Sequence, residues 1–516
     1  MRGSMVQSKV KPKIHLHLHA SDLTLLHRAG MAGLWMTLKQ LEYLYPSPGK
    51  RCGDLTWSLT PHSISFHWQG EDFSVLDWLF KQSFQISDKG LIWLTGLNPE
   101  AMELSTQITI HKGITGTFLQ HSRIFKSSGL GSLPVTVEDK EVLLKFSKAN
   151  SYAHQDFAKN LCDKKGQLSN KPIGIKSWLY PGATVRHSAF TSKTKFFETT
   201  ERVLALVFAP VACLYFILRS RLRDKRAQYA LVIPEVIDLQ AYATRRKQLT
   251  HLGYKNFSAS NAGDAGLRFL TQATTLEIAQ THRIRRCQVI TYGEVAWSSF
   301  QKTPTCTEVM EANEDLVRDY RLSCNYFPDK TITNEKGTFI AVSFVRELIA
   351  ENLAQGFPWW ANWATRINTS ELFQQIIYER EGLYHMVQNT QWDEQGQKLF
   401  VEACHEALRR TYAKVYSRTK EGDYAQIERK RERIRSELVR CKNAAHFRQF
   451  ITDFWSRAGM VTILQDHWQE LLPLTTGAVH WKMGRDLALL ALASYKKNSP
   501  SETESEENSD AEVTVQ

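Results

Sequence analysis

The sequence has none of the short signatures that mark several large enzyme classes. There is no G-x-x-x-x-G-K-[ST] phosphate loop, no G-x-G-x-x-G dinucleotide fingerprint, no H-E-x-x-H pair and no G-x-S-x-G elbow. A nucleotide hydrolase, a Rossmann dehydrogenase and an α/β-hydrolase all lose weight on that ground. Cysteine is sparse and scattered. Cys52, Cys162, Cys213, Cys287, Cys306, Cys324, Cys404 and Cys441 include no C-x-x-C pair, so a zinc ribbon or disulfide scaffold is not expected, and reduced thiols in a cytoplasm fit best. The start, MRGSMVQSKVKPK, is basic and polar with no apolar stretch behind it. It does not read as a secretory signal, and MRGS has the look of an expression scar before Met5. No internal repeat of fixed period occurs.

Long apolar runs are nearly absent as well. The exception is VLALVFAPVACLYFIL, sixteen residues from Val203 to Leu218, followed by the basic RSRLRDKR. A positive flank suits a membrane span. Roughly twenty residues are needed to cross the hydrocarbon core, however, and Pro210 interrupts the run. A buried core helix or strand pair is the expectation, and a membrane-associated scaffold anchored by Val203 to Leu218 is a competing reading.

What remains is a chain of 516 residues, 42% hydrophobic and 23% charged, long enough for two to four domains that each bury a core. Its formal charge is +12, although the last nineteen residues, NSPSETESEENSDAEVTVQ, hold six acids and no Lys or Arg, leaving about +18 on the rest. Such a surplus favours a polyanionic partner, because Lys and Arg that meet phosphates release condensed counterions.

The periodicities give an α+β chain: a mixed α/β amino-terminal and middle region, then a carboxy-terminal helical bundle and a disordered acidic tail. The boundaries fall at 1–150, 151–385, 386–497 and 498–516. Ser21 or Asp22 can cap a helix running to about Tyr45, with Leu23, Leu26, Leu34, Leu38 and Leu41 on one stripe. LTWSLTPHSISFHWQ alternates in period two about a Pro-His turn and predicts a hairpin. KSSGLGSLP, residues 126–134, predicts a flexible polar loop. YALVIPEVIDLQAYATRRKQL reads as strand, proline break and helix, and RRCQVITYGEVAWSSF as a strand pair. From about residue 395 the pattern is helical throughout.

Two kinds of cluster could carry chemistry. In KIHLHLHA, alternation puts His15, His17 and His19 on one strand face, with Ile14, Leu16 and Leu18 facing the core. Imidazoles suit zinc, and a metal-dependent nuclease or hydrolase using them, with Asp22 or His27, is a competing reading. A catalytic zinc site also needs convergence, an open position and second-shell partners, none of which the run supplies. The expectation is therefore structural histidines, no metal and no cofactor. The basic clusters recur: Arg219, Arg221, Arg223, Lys225 and Arg226; Arg245, Arg246 and Lys247; Arg283, Arg285 and Arg286; and Arg429, Lys430, Arg431, Arg433 and Arg435 within one helix. Between Arg409 and Lys442 twelve basic residues face five acidic ones. The glutamates of IERKRERIRSEL are spaced to pair with those arginines inside the helix. Trp297 and Phe300 lie near a basic cluster, as base-stacking residues do, although core packing explains most tryptophans equally well.

At HLHASDLTLLHRAGMAGLW and at YALVIPEVIDLQAYA the sequence resembles the large subunit of a type I CRISPR effector complex, Cascade, of the myxobacterial and cyanobacterial lineage. The resemblance spans most of the chain. It implies a protein without enzymatic activity that inspects duplex DNA for a protospacer-adjacent motif while guide pairing reads the rest of the target. The implied partners are the guide RNA and Cascade backbone subunits, the target duplex and displaced strand, and a helicase–nuclease or a transposition targeting factor. The carboxy-terminal bundle resembles the small subunit, which related systems also make by internal translation, here from Met386. For the element entering DNA the candidates are Arg123, Lys126, Ser127, Ser128, Gly129 and Gly131, with Arg51 second. For backbone contacts they are the Arg219 to Arg226 cluster and the Arg429 to Arg435 helix.

Overall fold

The computed structural model describes residues 12–137, 139–181, 196–220, 227–274, 286–295, 298–311, 313–334, 337–417, 425–477 and 480–496. The chain divides into two compact units, Met1–Tyr320 with Asp329–Ser343, and Arg321–Pro328 with Phe344–Gln516. The first mixes strands and helices and the second is helical, as the α+β reading expects. The tail at 498–516 lies outside the described residues.

The first unit opens with β1 (Ile14–His17), α1 (Leu25–Leu44), β2 (Thr56–Leu59) and β3 (Ser63–His67). The predicted hairpin is the β2–β3 pair, and β1 adds to its other side to give the order β1-β3-β2. The cap of α1 is Thr24 rather than Ser21 or Asp22. Its hydroxyl accepts from the His27 N–H, and the His27 ring accepts from the Thr24 N–H. Asp22 sits at φ 65°, a left-handed turn that precedes the helix and removes it from the capping position.

Next come α2 (Asp72–Ser83), α3 (Leu104–Thr117), the long hairpin β4 (Phe125–Val137) and β5 (Lys140–Tyr152), and α4 (Thr200–Val207), α5 (Ala209–Ala212) and β6 (Leu214–Leu218). The long apolar run is therefore two short helices and a strand, with every residue from Val203 to Phe216 buried. Pro210 falls in the first turn of α5, where its missing N–H breaks no helical bond. Among the described residues no helix is long and apolar enough to cross a membrane. Helix α1 lies across α4 and α5 at close range. A Cβ at Gly30 would overlap the Ala205 carbonyl, and one at Gly33 the Phe208 carbonyl. The two glycines of HRAGMAGLW are what let the helix backbones touch there.

The run feeds a five-stranded sheet that adds β7 (Ala227–Pro234), β8 (Ser258–Ala259), β9 (Arg286–Val295) and β10 (Ser298–Glu311), in the order β8-β6-β7-β9-β10. Only the β6–β8 pair is parallel. Between these strands lie α6 (Leu239–Leu249) and α7 (Ala262–Thr274). A ribbon of β11 (Lys330–Asn334) and β12 (Gly337–Ala341) completes the unit and packs against β5.

The second unit contains α8 (Phe344–Ala354), α9 (Ser370–Ile377), α10 (Arg380–Asn389), α11 (Gln395–Tyr416), α12 (Ala425–Arg440), α13 (Ala444–Ala458), α14 (Trp468–Thr476) and α15 (Trp481–Ser494). Helix α15, with the run LALLALA, is apolar nearly all round and so belongs at the centre of a bundle. All residues from Asp486 to Ser494 are buried, and α9 to α14 pack around it. Its one buried acid, Asp486, accepts from the Asn362 and Ala364 N–H groups at 2.9 and 3.1 Å. Burial nevertheless holds its carboxyl above the ordinary aspartate value.

Candidate nucleic-acid interface

The hairpin β4–β5 has two chemically different faces. Alternation sends Val135, Val137, Val142, Leu144 and Phe146 into a cluster with Leu91, Ile108, Tyr254 and Ile340. The opposite face carries Lys126 and Lys145, while Lys148 stands on the Phe146 side, against Gly90 and Gly131; all three are exposed, and none is held by another described residue. His111 of α3 pins the hairpin from beneath. Its Nε2 bonds the Ser147 carbonyl at 2.7 Å and its Nδ1 accepts from the Ile92 N–H at 3.0 Å. Burial lowers its pKa to about 4, so the ring is neutral, with the proton on Nε2.

This hairpin corrects the loop expected at residues 126–134, which are strand. The Gly and Ser content that suggested a loop is instead a bulge: the register shifts between Lys126 and Ser127 and again between Ser127 and Leu130. Gly129, at φ 122° with open space around it, takes the conformation that a side chain would strain. The Ser127 hydroxyl accepts from the Gly129 N–H at 3.1 Å. Leu130 beside it is 85% exposed. Arg123, Lys126, Ser127, Ser128 and Gly129 are exposed and close in sequence, and Gly131 is half-buried on the same strand.

Four of the other arginines are not surface cations. Arg51 is buried, donates to the carbonyls of Tyr45 and Leu55, and stacks its guanidinium 4.0 Å from the Trp57 ring. Arg246 is 1% exposed and donates to the Ala212 and Cys213 carbonyls at 3.2 and 3.1 Å, where α5 gives way to β6 and the chain leaves acceptors unpaired. Arg245 is also buried, and desolvation lowers its pKa to about 10. Arg435 is buried against Glu432, the Asn368 carbonyl and the Phe373 ring. Elsewhere on α12, Arg431 pairs with Glu428 at 3.9 Å and Arg433 with Glu437 at 2.9 Å, leaving Arg429, Lys430 and Arg440 without a carboxylate among the described residues. Arg219 is half-buried and Arg286 exposed at the start of β9. Arg221, Arg223, Lys225, Arg226, Arg283, Arg285, Trp297 and the side chain of Phe300 lie outside the described residues.

The histidine strand behaves as alternation requires: Ile14 and Leu16 are buried, and His15 and His17 exposed. His19 falls in the turn beyond β1, its ring 5.0 Å from that of His62. His15 bonds the Ser65 hydroxyl. Among the described residues no three His, Cys, Asp or Glu side chains converge as metal ligands. Lys145 and Lys148 are absent from the sequence-derived candidates. In KEVLLKFSKA alternation puts Lys145 opposite Val142, Leu144 and Phe146, whereas Lys148 shares their parity, so period two signals only the first of the two.

Both ends of the chain match one family. The DevT N-terminal domain covers residues 15–207 and the DevT C-terminal domain residues 388–516, together more than half the sequence. The class is therefore that of the DevT proteins. Along 96% of its length the chain is also 28% identical, over 540 residues, to the CRISPR-associated protein Cas8a1/Csx13 of Myxococcus xanthus, 91% of which is covered. The chain belongs to the large-subunit family of type I CRISPR systems that its sequence resembles.

Proposed function

We propose that the protein is a non-catalytic large subunit of an RNA-guided type I surveillance complex in the cytoplasm. It recognises the protospacer-adjacent motif in double-stranded DNA and stabilises the R-loop, in antiviral defence or guided transposition. The observation that carries this is the set of exposed lysines on β4–β5, Lys126, Lys145 and Lys148, with no carboxylate partner among the described residues, beside a bulge that projects Leu130. Lysines without carboxylate partners are what a phosphate backbone needs, and phosphate contacts fix register while nearby groups meet base edges. In this reading Arg123, Lys126, Ser127, Ser128, Gly129 and Gly131 approach the motif. Lys145, Lys148, Arg219, Arg286, Arg429 and Lys430 hold backbone. The partners are the guide RNA, the Cascade backbone subunits, the target duplex with its displaced strand, and a helicase–nuclease or transposition targeting factor. The bundle from residue 386 to 497 is the part that would also exist as a separate small subunit. A start at Met386 would divide α10, where that side chain is buried.

The test is binding of duplexes with and without the adjacent motif, across a salt series, by the protein alone and by the protein assembled with guide RNA and backbone subunits. Motif-dependent binding only in the assembled complex, with no cleavage in magnesium, is the expected result. Cleavage by the protein alone sinks the proposal.

A further inference from the structure

Beneath the hairpin, α3, β5, the end of β6 and the β11–β12 ribbon enclose a pocket of about 250 Å³. Its floor is apolar, with Val142 and Phe339 among the lining residues, and its polar groups are Lys112, Lys145, Arg219 and Tyr254. No carboxylate lines it among the described residues. The Arg219 guanidinium donates to the Tyr254 hydroxyl at 3.1 Å, and its Nε is buried without a hydrogen-bond partner. Lys112 is half-buried and its ammonium is tied to no described residue.

Arg219 and Lys112, drawn together over an apolar floor with the exposed Lys145 at the rim, repel one another and are partly desolvated. Desolvation first, and then the Arg219 charge, hold the Lys112 amine below its ordinary value. An arrangement of this kind is stabilised by an anion that accepts several charge-assisted hydrogen bonds at once. The volume is below the roughly 300–1,000 Å³ of sites for drug-sized ligands, so it has room for one anionic group rather than a whole nucleotide.

We propose that this pocket is a binding site for a phosphate monoester dianion, with Arg219 donating from its guanidinium, Lys112 and Lys145 supplying charge and the Tyr254 hydroxyl orienting the guanidinium. The dianion is either free phosphate or the terminal phosphate of a nucleotide or nucleic-acid strand whose remainder lies outside. The site does not depend on the exposed lysines being a DNA surface, since a small anion tests it by itself.

The experiment is calorimetric titration of the full chain with inorganic phosphate in a chloride buffer. It is repeated with a nucleoside 5′-monophosphate and with a short oligonucleotide carrying a 5′-phosphate or a 5′-hydroxyl. Saturable phosphate binding is expected, weakened about tenfold or more by Arg219→Gln and by Lys145→Gln, as loss of a charge-assisted hydrogen bond implies. Lys39→Gln, exposed on α1 and outside the pocket, leaves it unchanged. A 5′-phosphate advantage that Arg219→Gln abolishes assigns the site to strand ends, and equal binding of the two oligonucleotides with competition by phosphate assigns it to the free anion. The inference is overturned if inorganic phosphate gives no saturable heat, or if its affinity is indifferent to both substitutions. Should Arg219→Gln fail to fold, Lys145→Gln decides, because that residue stands on an exposed strand face. Phosphate binding without motif-dependent duplex binding would leave the pocket standing and remove the large-subunit reading.

Discussion

The hairpin and helix α12 are both rich in basic residues, yet they differ in how much of that charge can reach a partner. On β4–β5, Lys126, Lys145 and Lys148 are exposed with no acid among the described residues to hold them. On α12 the helix period does the opposite. Glutamates three and four residues away take up Arg431, Arg433 and Arg435. A tally of Arg and Lys along the sequence ranks the helix above the hairpin, whereas the cations that no other described residue holds are three on each, Arg429, Lys430 and Arg440 against Lys126, Lys145 and Lys148. Electrostatic attraction to a polyanion depends on the second tally, because a cation already shared with a carboxylate releases fewer counterions when it meets a phosphate.

The largest effect should follow from removing the open charge. The triple substitution Lys126→Gln, Lys145→Gln, Lys148→Gln is expected to weaken duplex binding by the assembled complex roughly tenfold or more at low salt. Each lost phosphate contact should also reduce the salt slope by roughly 0.9. Anisotropy titrations at several salt concentrations measure both. An unchanged slope would place the DNA elsewhere on the protein. Arg435→Ala is the contrasting case on α12. Its partner Glu432 is partly solvated, so the loss is expected to be about 1–3 kcal/mol of stability rather than the full value for a buried pair. It should appear as a lower denaturation midpoint with duplex affinity intact.

Acid should loosen the hairpin by another route. His111 has a folded pKa of about 4, lowered chiefly by burial, against an ordinary value of 6.5. The unfolded chain takes up the proton first, so this contribution to stability is complete above about pH 6.5. It falls as the pH drops towards 4, by at most ~1.4 kcal/mol per pH unit. Protonation would also place a hydrogen on Nδ1 facing the Ile92 N–H and cancel that bond, leaving the Nε2 bond to Ser147 as the ring's hold on β5. The expected observation is a shallower fall of melting temperature between pH 6.5 and 4 in His111→Gln than in the unaltered protein. Equal slopes would mean that the ring takes up its proton alike in the folded and unfolded chains.

Much of this fold is legible in the sequence because it is local. The β2–β3 hairpin, the strand before Pro234 and the helices after residue 395 all follow from period and turn chemistry. The errors fall where distant residues decide. KSSGLGSLP has loop composition, but the LPVTVEDKEVLLKF alternation beyond it zips the two strands together, and the glycine is absorbed as a bulge. TRRK has the composition of a surface cluster, but the carbonyls freed at the α5–β6 break recruit Arg246 inward. The pocket around Arg219 draws its groups from segments more than two hundred residues apart, so no window of sequence displays it. The candidate interface was therefore readable as basic composition, but not as a list of residues.

The smallest effect sharpens the comparison most. Arg433 and Glu437 are both well exposed, 67% and 42% by side chain, and the hydrogen bond to Glu437, then its charge, raise the arginine's pKa. Exposed pairs at this spacing contribute little to stability, since water competes for both partners and two long side chains must be ordered. Arg433→Gln should therefore leave the melting temperature within error, and should change duplex affinity less than any single lysine substitution on the hairpin. Measured beside Lys148→Gln in one salt series, it isolates pairing as the variable, because each variant removes one positive charge from an exposed face. Equal losses in the two variants would show that charge counts regardless of its partner. A loss confined to Lys148→Gln would show that the carboxylate, and not the number of arginines, decides which basic surface is free to bind.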